Sequence, residues 1–574
     1  MYIKEIEINN FRGLNIQIVN LKKRFLIIGK NDSGKSNFCY AIRKVLDYKT
    51  RRQPLVESDS TNLNKMDILI KMVLDLSAIS SNNRAILKEY VDVNDDGTET
   101  LTIEFNATFN HDIQAYDEYI IFGSLDKTEP KSAAIGNCLD KVVDIIYVYP
   151  NYDLSRDTKN YFSYHKLLNE KANLAIGQDI SDSIIKLNES ISNDSAIKNM
   201  QDELNNIGSM KEFFGDIDFL IKSDFELSNI YKSLDIVPCV LNDKKINIGD
   251  GKSKTLALLL QKLIKEKHKE KIIILEEPEN HLFPLLQKQY ASILDDFFSG
   301  QTIVTTHSPS IIDFRKTEEI FKFNYEIDEK TKERKFNCFR VNVDGKEIYK
   351  KFGYSINEEI AESFFYNEVL LIEGYSEKMF YNILINSDDE FRKIVLNRGV
   401  GFICVYGVDF KPSKEILESL GIKVHILTDN DYYQSGKDDD EYVYAGLKRA
   451  FSLLDENTIE VIRDLAGIDI KEDTFNVINN SPEHISFKKN VPSLVDVLKV
   501  YNIYVHEGQE NGFENAFAEF VGLKEDKKTD VIEILSQRKM KNLHKYLIDN
   551  DIVLKVNDRN QKNILVEFLY DDRP

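Results

Sequence analysis

The chain has 574 residues, 42% of them hydrophobic and 30% charged, with a formal net charge of −20 at pH 7. That length holds two or three domains of roughly 100 to 200 residues each, and the composition is that of an ordinary globular protein. The overall charge argues against a surface built uniformly for a polyanion. No run of about 18 apolar residues and no basic-then-apolar leader at MYIKEIEINNF are present, which predicts a cytoplasmic protein with no membrane partner.

The first 45 residues predict strand, strand, loop and helix. IKEIEI alternates, RFLIIG is an apolar run ending in Gly29, and SNFCYAIRKVL has helical spacing. MDILIKMVLDL and TLTIEFNATF read as strands, with the turn-like NDDG between them. DIIYVYP is strand-like and marks a boundary, because from about Asp153 to Leu234 the pattern turns polar, helical and rich in Asn, Ser and Lys. Strands return at KIIILEEPE and QTIVTTHS, and the charged DEKTKERK leads towards a junction near residues 345–362. Beyond it NEVLLIEG, GFICVYG and KVHILTDND are short apolar strands separated by helical stretches, as a parallel sheet requires.

The expected architecture is therefore α/β throughout. Residues 1–152 with 236–345 form one domain, 153–235 a helical insertion, 346–361 a linker and 362–574 a second α/β domain. Cys39, Cys138, Cys239, Cys338 and Cys404 form no C-x-x-C pair and read as reduced core residues. Local basic clusters keep nucleic acid open as a partner despite the net charge: Arg43 to Arg52, Lys265 to Lys271 and Arg538 to Lys545.

GKNDSGKS, Gly29 to Ser36, fits G-x-x-x-x-G-K-[ST] between a strand and a helix. Gly29 and Gly34 let backbone N–H groups of the Asn31 loop wrap phosphates, the helix start that carries Asn37 adds its positive dipole end, Lys35 reaches the outer phosphates and Ser36 holds magnesium. IIILEEPENHL delivers Glu276 and Glu277 to a strand end, the first to orient the magnesium ion and the second to polarise the attacking water. TIVTTHSP places His307 after another strand, within reach of a terminal phosphate.

The order NFRGL, GKNDSGKS, LEEPENHL, TTHSP resembles the ABC-type ATPase head of the SMC, Rad50 and RecF group. That resemblance implies ATP with Mg2+ sandwiched between two heads, and a signature loop at NIGDGKSKTLAL with Gly249 and Gly251. The loop departs from the usual Ser-Gly-Gly form and Glu276 replaces the commoner Asp, so nucleotide binding is better supported than fast hydrolysis.

VHILTDND ends a strand with Asp429 and Asp431 on one face, where like charges repel unless cations neutralise them. VLLIEGYSEKMF supplies Glu373 at a strand end and Glu377 at a helix start. Hard divalent ions prefer such carboxylate oxygens, and the four acids are expected to share one cleft.

The E-G-x-x-E then D-x-D arrangement resembles the Toprim fold. An ABC head followed by Toprim is similar to the overcoming-lysogenisation-defect (OLD) family of endonucleases, in the class that includes the Gabija anti-phage nuclease, over nearly the whole chain. The resemblance implies hydrolysis of DNA phosphodiesters with two Mg2+ or Mn2+ ions. Glu373, Glu377, Asp429 and Asp431 would be ligands, and the ATPase head would serve assembly and control. The family also places an acid near QENGFENAF, where Gly512 stands at the aligned position and Glu514 or Glu510 substitutes. A lysine is implied in SQRKMKNLH, Lys539 before Lys541, to stabilise charge on the transition state.

The resemblance further implies a homodimer or tetramer through the head and the helical insertion. It also implies a neighbour that is a helicase or a reverse transcriptase with its small nucleic acid. Two other readings stand beside the nuclease: a non-cleaving ABC-type DNA-binding scaffold, and a repair ATPase driven by hydrolysis.

Overall fold

The computed structural model describes residues 1–62, 67–123, 134–148, 178–205, 239–240, 244–245, 269–288, 300–312, 318–327, 334–342, 358–405, 407, 410–434, 441–466, 474–478, 481–506, 512–537 and 539–570. Among these, two large sheets build the N-terminal half. The first is antiparallel: Leu14–Ile18, Tyr2–Phe11, Ile68–Asp75 and Glu99–Asn110 lie side by side, and Asp92–Val93 and Ala115–Phe122 both pair with Glu99–Asn110. The alternating MDILIKMVLDL pattern explains its register, since Ile68, Ile70, Met72 and Leu74 all face the core. The NDDG turn returns Asp92–Val93 onto Glu99–Thr100, with Gly97 at φ +78°.

The second sheet runs Arg334–Asn342, Glu319–Ile327, Arg24–Gly29, Gln301–Thr306, Glu270–Glu276, Val143–Val148. All its neighbour pairs but the first are parallel, and the central strands Arg24–Gly29 and Glu270–Glu276 carry continuous apolar runs because both faces are covered. Of the charged stretch DEKTKERK, Arg334 and Lys335 open the strand Arg334–Asn342 and residues 328–333 lie outside the described residues. Of the stretch read as a helical insertion, helices Gln178–Ser192 and Ser195–Asn205 are described, and the remainder lies outside the described residues.

The C-terminal half is built on a four-stranded parallel sheet in the order Val400–Cys404, Glu368–Ile372, Lys423–Thr428, Ile503–Val505. A three-stranded antiparallel sheet, Tyr432–Gln434, Glu441–Tyr444 and Asn476–Ile478, stands beside it. The halves are packed on one another. One core cluster runs from Leu26, Ile28 and Val304 into Val369, Leu371 and Ile426, and Lys322 Nζ donates to the Tyr366 carbonyl at 2.8 Å.

The α/β class expected from the sequence is the class observed. Cys39, Cys138, Cys338 and Cys404 are free thiols. The first basic cluster is partly internal: Lys44 is fully buried against Glu118 at 2.9 Å and the Arg43 guanidinium lies 3.8 Å from the Tyr147 ring centre, whereas Lys49 and Arg52 are exposed. Among the described residues no helix is long and apolar enough to cross a membrane.

Candidate functional site

The ATPase-side site begins where Arg24–Gly29 ends. Gly29 at φ +152° and Gly34 at φ +95° turn the chain into helix Lys35–Leu46. A Cβ at Gly29 would stand 2.6 Å from Ser33 Oγ, and one at Gly34 would stand 2.8 Å from a Leu14 methyl, so only glycine closes this loop without displacement. Lys35 is buried and its ammonium donates to the carbonyls of Gly29 at 3.0 Å and Lys30 at 2.9 Å. Burial lowers its pKa to about 8, against the opposing pull of Glu277, Glu279 and Glu276. Ser33 Oγ is buried with no hydrogen-bond partner among the described residues, a polar group left inside the cradle. Asn31 and Ser36 are exposed along the loop and helix start, whereas Asn37 donates its amide to the Arg12 carbonyl at 2.7 Å.

Two acids face that loop from Glu270–Glu276. Glu276 is buried and accepts a hydrogen bond from the Tyr147 hydroxyl, whose own pKa burial and Glu276 both raise. Glu277 sits just past the strand at φ +44°, a conformation that costs energy for a residue with a long side chain and marks functional loops. Its N–H donates to the Thr305 carbonyl at 2.9 Å, its Oε2 accepts from Asn280 at 2.9 Å, and its Oε1 lies 3.4 Å from His307 Nε2. Burial and then the Lys35 charge hold the His307 pKa below its ordinary value. Glu279, which sequence reading passed over, accepts from the His307 N–H at 2.6 Å, and burial raises its pKa. Gly249 and Gly251 lie outside the described residues.

The second site lies at the carboxyl ends of the four-stranded parallel sheet. Glu368–Ile372 and Lys423–Thr428 are adjacent, and the chain leaves the first towards Val400–Cys404 on its other side before returning. This is a topological switch point, where the crevice of an open α/β sheet forms. Glu373 and Asp429 are the first residues past those two strands. Glu373 Oε1 accepts from Thr428 Oγ1 at 2.5 Å, Asp429 N–H at 3.0 Å and Arg449 Nη1 at 2.6 Å. Arg449 Nη2 reaches Asp431 Oδ2 at 2.8 Å. Asp431 stands at φ +35°, which an aspartate tolerates better than most residues. Glu377 is in the first turn of helix Tyr375–Ser387, buried, with its Oε2 3.3 Å from where a Gly374 Cβ would stand.

The C-terminal segment closes on the same corner. Asp429 Oδ1 is 3.4 Å from His506 Nε2, at the end of the Ile503–Val505 strand. A Cβ at Gly512 would stand 2.5 Å from Asp429 Oδ1, so helix Gly512–Val521 begins in contact with that carboxylate. Glu514, in the first turn of this helix, is fully buried. Lys539 opens helix Lys539–Asp549, but its side chain lies outside the described residues, as does Glu510. Among the described residues no three His, Cys, Asp or Glu side chains stand as a ready metal-holding cluster. The donors are nonetheless all carboxylate oxygens, the set that hard divalent ions take, and Arg449 supplies part of the countercharge.

Sequence reading missed Arg449 and His506. His506 ends the apolar run NIYV, the same strand-end pattern that exposed Glu373 and Asp429, and was open to the same logic. Arg449 in GLKRAF carried no such signal, since a basic residue on an amphipathic helix ordinarily faces solvent.

Two domain models match separate parts of this chain. Residues 364–431 match the Overcoming lysogenization defect protein-like TOPRIM domain, and residues 1–247 match an AAA ATPase domain. Endonuclease GajA of Bacillus cereus (strain VD045) is 27% identical over 515 residues, 82% of this chain and 83% of that protein. Among solved structures, an SMC head bound to the C-terminal winged-helix domain of ScpA covers 60% of this chain and all of its own, with TM-score 0.36 and 14% identity. The ATP complex of the recombination mediator RecF covers 56% of this chain and 96% of its own, with TM-score 0.31 and 16% identity. This one polypeptide therefore carries an AAA-type ATPase domain followed by an OLD-like Toprim domain.

Proposed function

We propose that the chain is a divalent-metal-dependent DNA endonuclease whose Toprim acids hydrolyse phosphodiesters and whose ATPase head controls it by binding ATP, in defence against phage DNA. The observation that carries the reading is the meeting of Glu373, Asp429 and Asp431 at the carboxyl ends of two neighbouring parallel strands, with Glu373 and Asp431 tied through one guanidinium and the Asp429 N–H donating to Glu373. The similarity to Endonuclease GajA supports an endonuclease, and the resemblance to the OLD family read from the sequence supports DNA as substrate and a defence setting.

Glu373, Glu377, Asp429 and Asp431 would hold Mg2+ or Mn2+, with Glu514 or its neighbourhood completing the set and Lys539 stabilising charge. The bound ions would generate the attacking hydroxide and neutralise the leaving oxygen. The chain's own residues fix the rest. Thr428 and the Asp429 N–H hold the Glu373 carboxylate in one orientation, and Gly512 lets the C-terminal helix start against Asp429.

In the head, Gly29, Gly34 and Lys35 would cradle ATP phosphates, Ser36 and Glu276 its Mg2+, and Glu277 with His307 would face the terminal phosphate. Gly249 and Gly251 would complete the pocket from a second copy. Such shared sites support a homodimer or tetramer through the head and the 153–235 insertion, within the boundaries read from the sequence. A helicase, or a reverse transcriptase with its small nucleic acid, fits as a partner of this arrangement.

Incubation of the protein with supercoiled plasmid and Mg2+ or Mn2+, with and without ATP, tests the reading. Nicked or linear product lost in Glu373→Gln is the expected result. Failure of the wild-type chain to cut under every metal and nucleotide condition overturns it. It would favour the non-cleaving scaffold, a reading that Gly512 at the position of the family's further acid supports.

A further inference from the structure

We infer that Arg449 is a positioning residue of the metal site, clamping one oxygen of Glu373 and one of Asp431 so that the other oxygen of each remains free to ligate. The inference rests on the metal-dependent reading above and adds to it a residue outside the acidic set.

The guanidinium bonds are divided one carboxylate to each arm. Nη1 donates to Glu373 Oε1 at 2.6 Å and Nη2 to Asp431 Oδ2 at 2.8 Å. Glu373 Oε1 is thereby occupied three times over, by Arg449, Thr428 Oγ1 and the Asp429 N–H. Its partner Oε2 and Asp431 Oδ1 take no hydrogen bond among the described residues. A planar fork fixes both the separation and the tilt of two carboxylates, which a single ammonium cannot do.

The fork is itself held rigidly. Gly446 and Arg449 are three residues apart on helix Ala445–Ser452 and share a face. A Cβ at Gly446 would collide with the Asp429 carbonyl and the Asn430 backbone, so the absent side chain lets the helix lie directly on the aspartate loop. The loop in turn caps the helix: Ala445 N–H donates to the Asp431 carbonyl at 3.0 Å and Gly446 N–H to the Asn430 carbonyl at 2.9 Å. The Arg449 side chain is only 12% exposed, against 41% for Asp431. The arginine is therefore the fixed member of the pair and the carboxylate the open one. One delocalised positive charge between two carboxylates lowers their repulsion while leaving the corner net negative for a divalent cation.

Outer partners of metal-ligating carboxylates typically change metal affinity by about 10- to 100-fold when removed. The experiment is calorimetric titration of Mn2+ into the nucleotide-free full-length chain, in a Lys35→Ala background so that the head does not contribute. Wild-type Toprim acids are expected to bind Mn2+, Arg449→Ala to bind it about 10- to 100-fold more weakly, and Arg449→Lys to fall between. An Arg449→Ala protein that melts earlier but binds Mn2+ as well as or better than its parent overturns the inference, since a purely structural or competing arginine gives that result. If Arg449→Ala does not fold by circular dichroism, Arg449→Lys decides: a several-fold loss supports the clamp and parity removes it. A parent chain that binds no Mn2+ removes the metal reading itself, and the clamp with it.

Discussion

Glu277 Oε1 and His307 Nε2 meet at 3.4 Å across the ends of two neighbouring parallel strands, with Lys35 opening the adjacent helix. The strained backbone at Glu277, φ +44°, aims its carboxylate at this corner, and burial together with the Lys35 charge keeps His307 neutral near pH 7. A neutral imidazole donates to a phosphate without adding charge, and Glu277 beside it is placed to polarise water. Glu277→Gln is expected to lower ATP turnover by about 100-fold or more, the usual scale for a general base, while nucleotide affinity changes little. Phosphate release set beside fluorescent-nucleotide binding checks the split. Equal turnover in the variant would remove Glu277 from that role.

Lys35 gives a pH dependence with a definite sign. Its pKa is lowered to about 8 because burial disfavours the ammonium. Bound phosphates favour that ammonium and raise the pKa again. Below pH 8 the charge is already present, whereas above it binding must take up a proton. ATP affinity is therefore expected to fall between pH 8 and 9.5 by up to about tenfold per unit, with proton uptake visible by calorimetry in buffers of different ionisation enthalpy. Lys35→Arg, which stays charged, should bind more weakly overall yet lose this slope. An unchanged slope in the variant would place the titration elsewhere.

Gly512 is tested by adding a single methyl group. Its Cβ would stand 2.5 Å from Asp429 Oδ1 and 2.9 Å from Asp429 Cγ, so the carboxylate or the helix must move. Overpacking of this kind costs about 1–3 kcal/mol. Gly512→Ala is expected to melt earlier and to lose most plasmid cleavage, and Gly512→Asp to do worse, although the family's alignment would suggest that an acid there restores the site. A cleaving Gly512→Asp protein would show that Asp429 has room that the present packing denies it.

The two halves of the candidate site were unequally legible in the sequence. Glu373, Asp429 and Glu276 could be read because each terminates an apolar run, and parallel strands deliver their ends to one edge of a sheet. The phosphate loop was legible for a different reason: Gly29 and Gly34 are required by backbone conformation within a few residues of Lys35. Arg449 was not, because its contacts depend on a helix docking onto a loop through Gly446, a tertiary event with no local period. Glu514 was legible as a candidate only. Its complete burial follows from Phe513, Ala516 and Phe517 around it drawing the whole helix face inward. The burial of Lys44 likewise follows from packing, where the sequence had offered its cluster to nucleic acid.

Gly446 offers a test of how that docking sets the site. A methyl group there would meet the Asp429 carbonyl and the Asn430 Cα, and backbone atoms cannot rotate away as a side chain can. Helix Ala445–Ser452 must then lift from the aspartate loop, breaking the Ala445 N–H bond to Asp431 and withdrawing Arg449 from both carboxylates. Gly446→Ala favours helix formation by about 1 kcal/mol in isolation, so intrinsic propensity and tertiary contact pull in opposite directions here. The close backbone approach is expected to win. The variant should unfold at lower temperature and lose plasmid cleavage, while ATP binding in the head persists. A Gly446→Ala protein more stable than wild type would mean that the helix does not rest on the loop in solution, and the placement of Arg449 would fall with it.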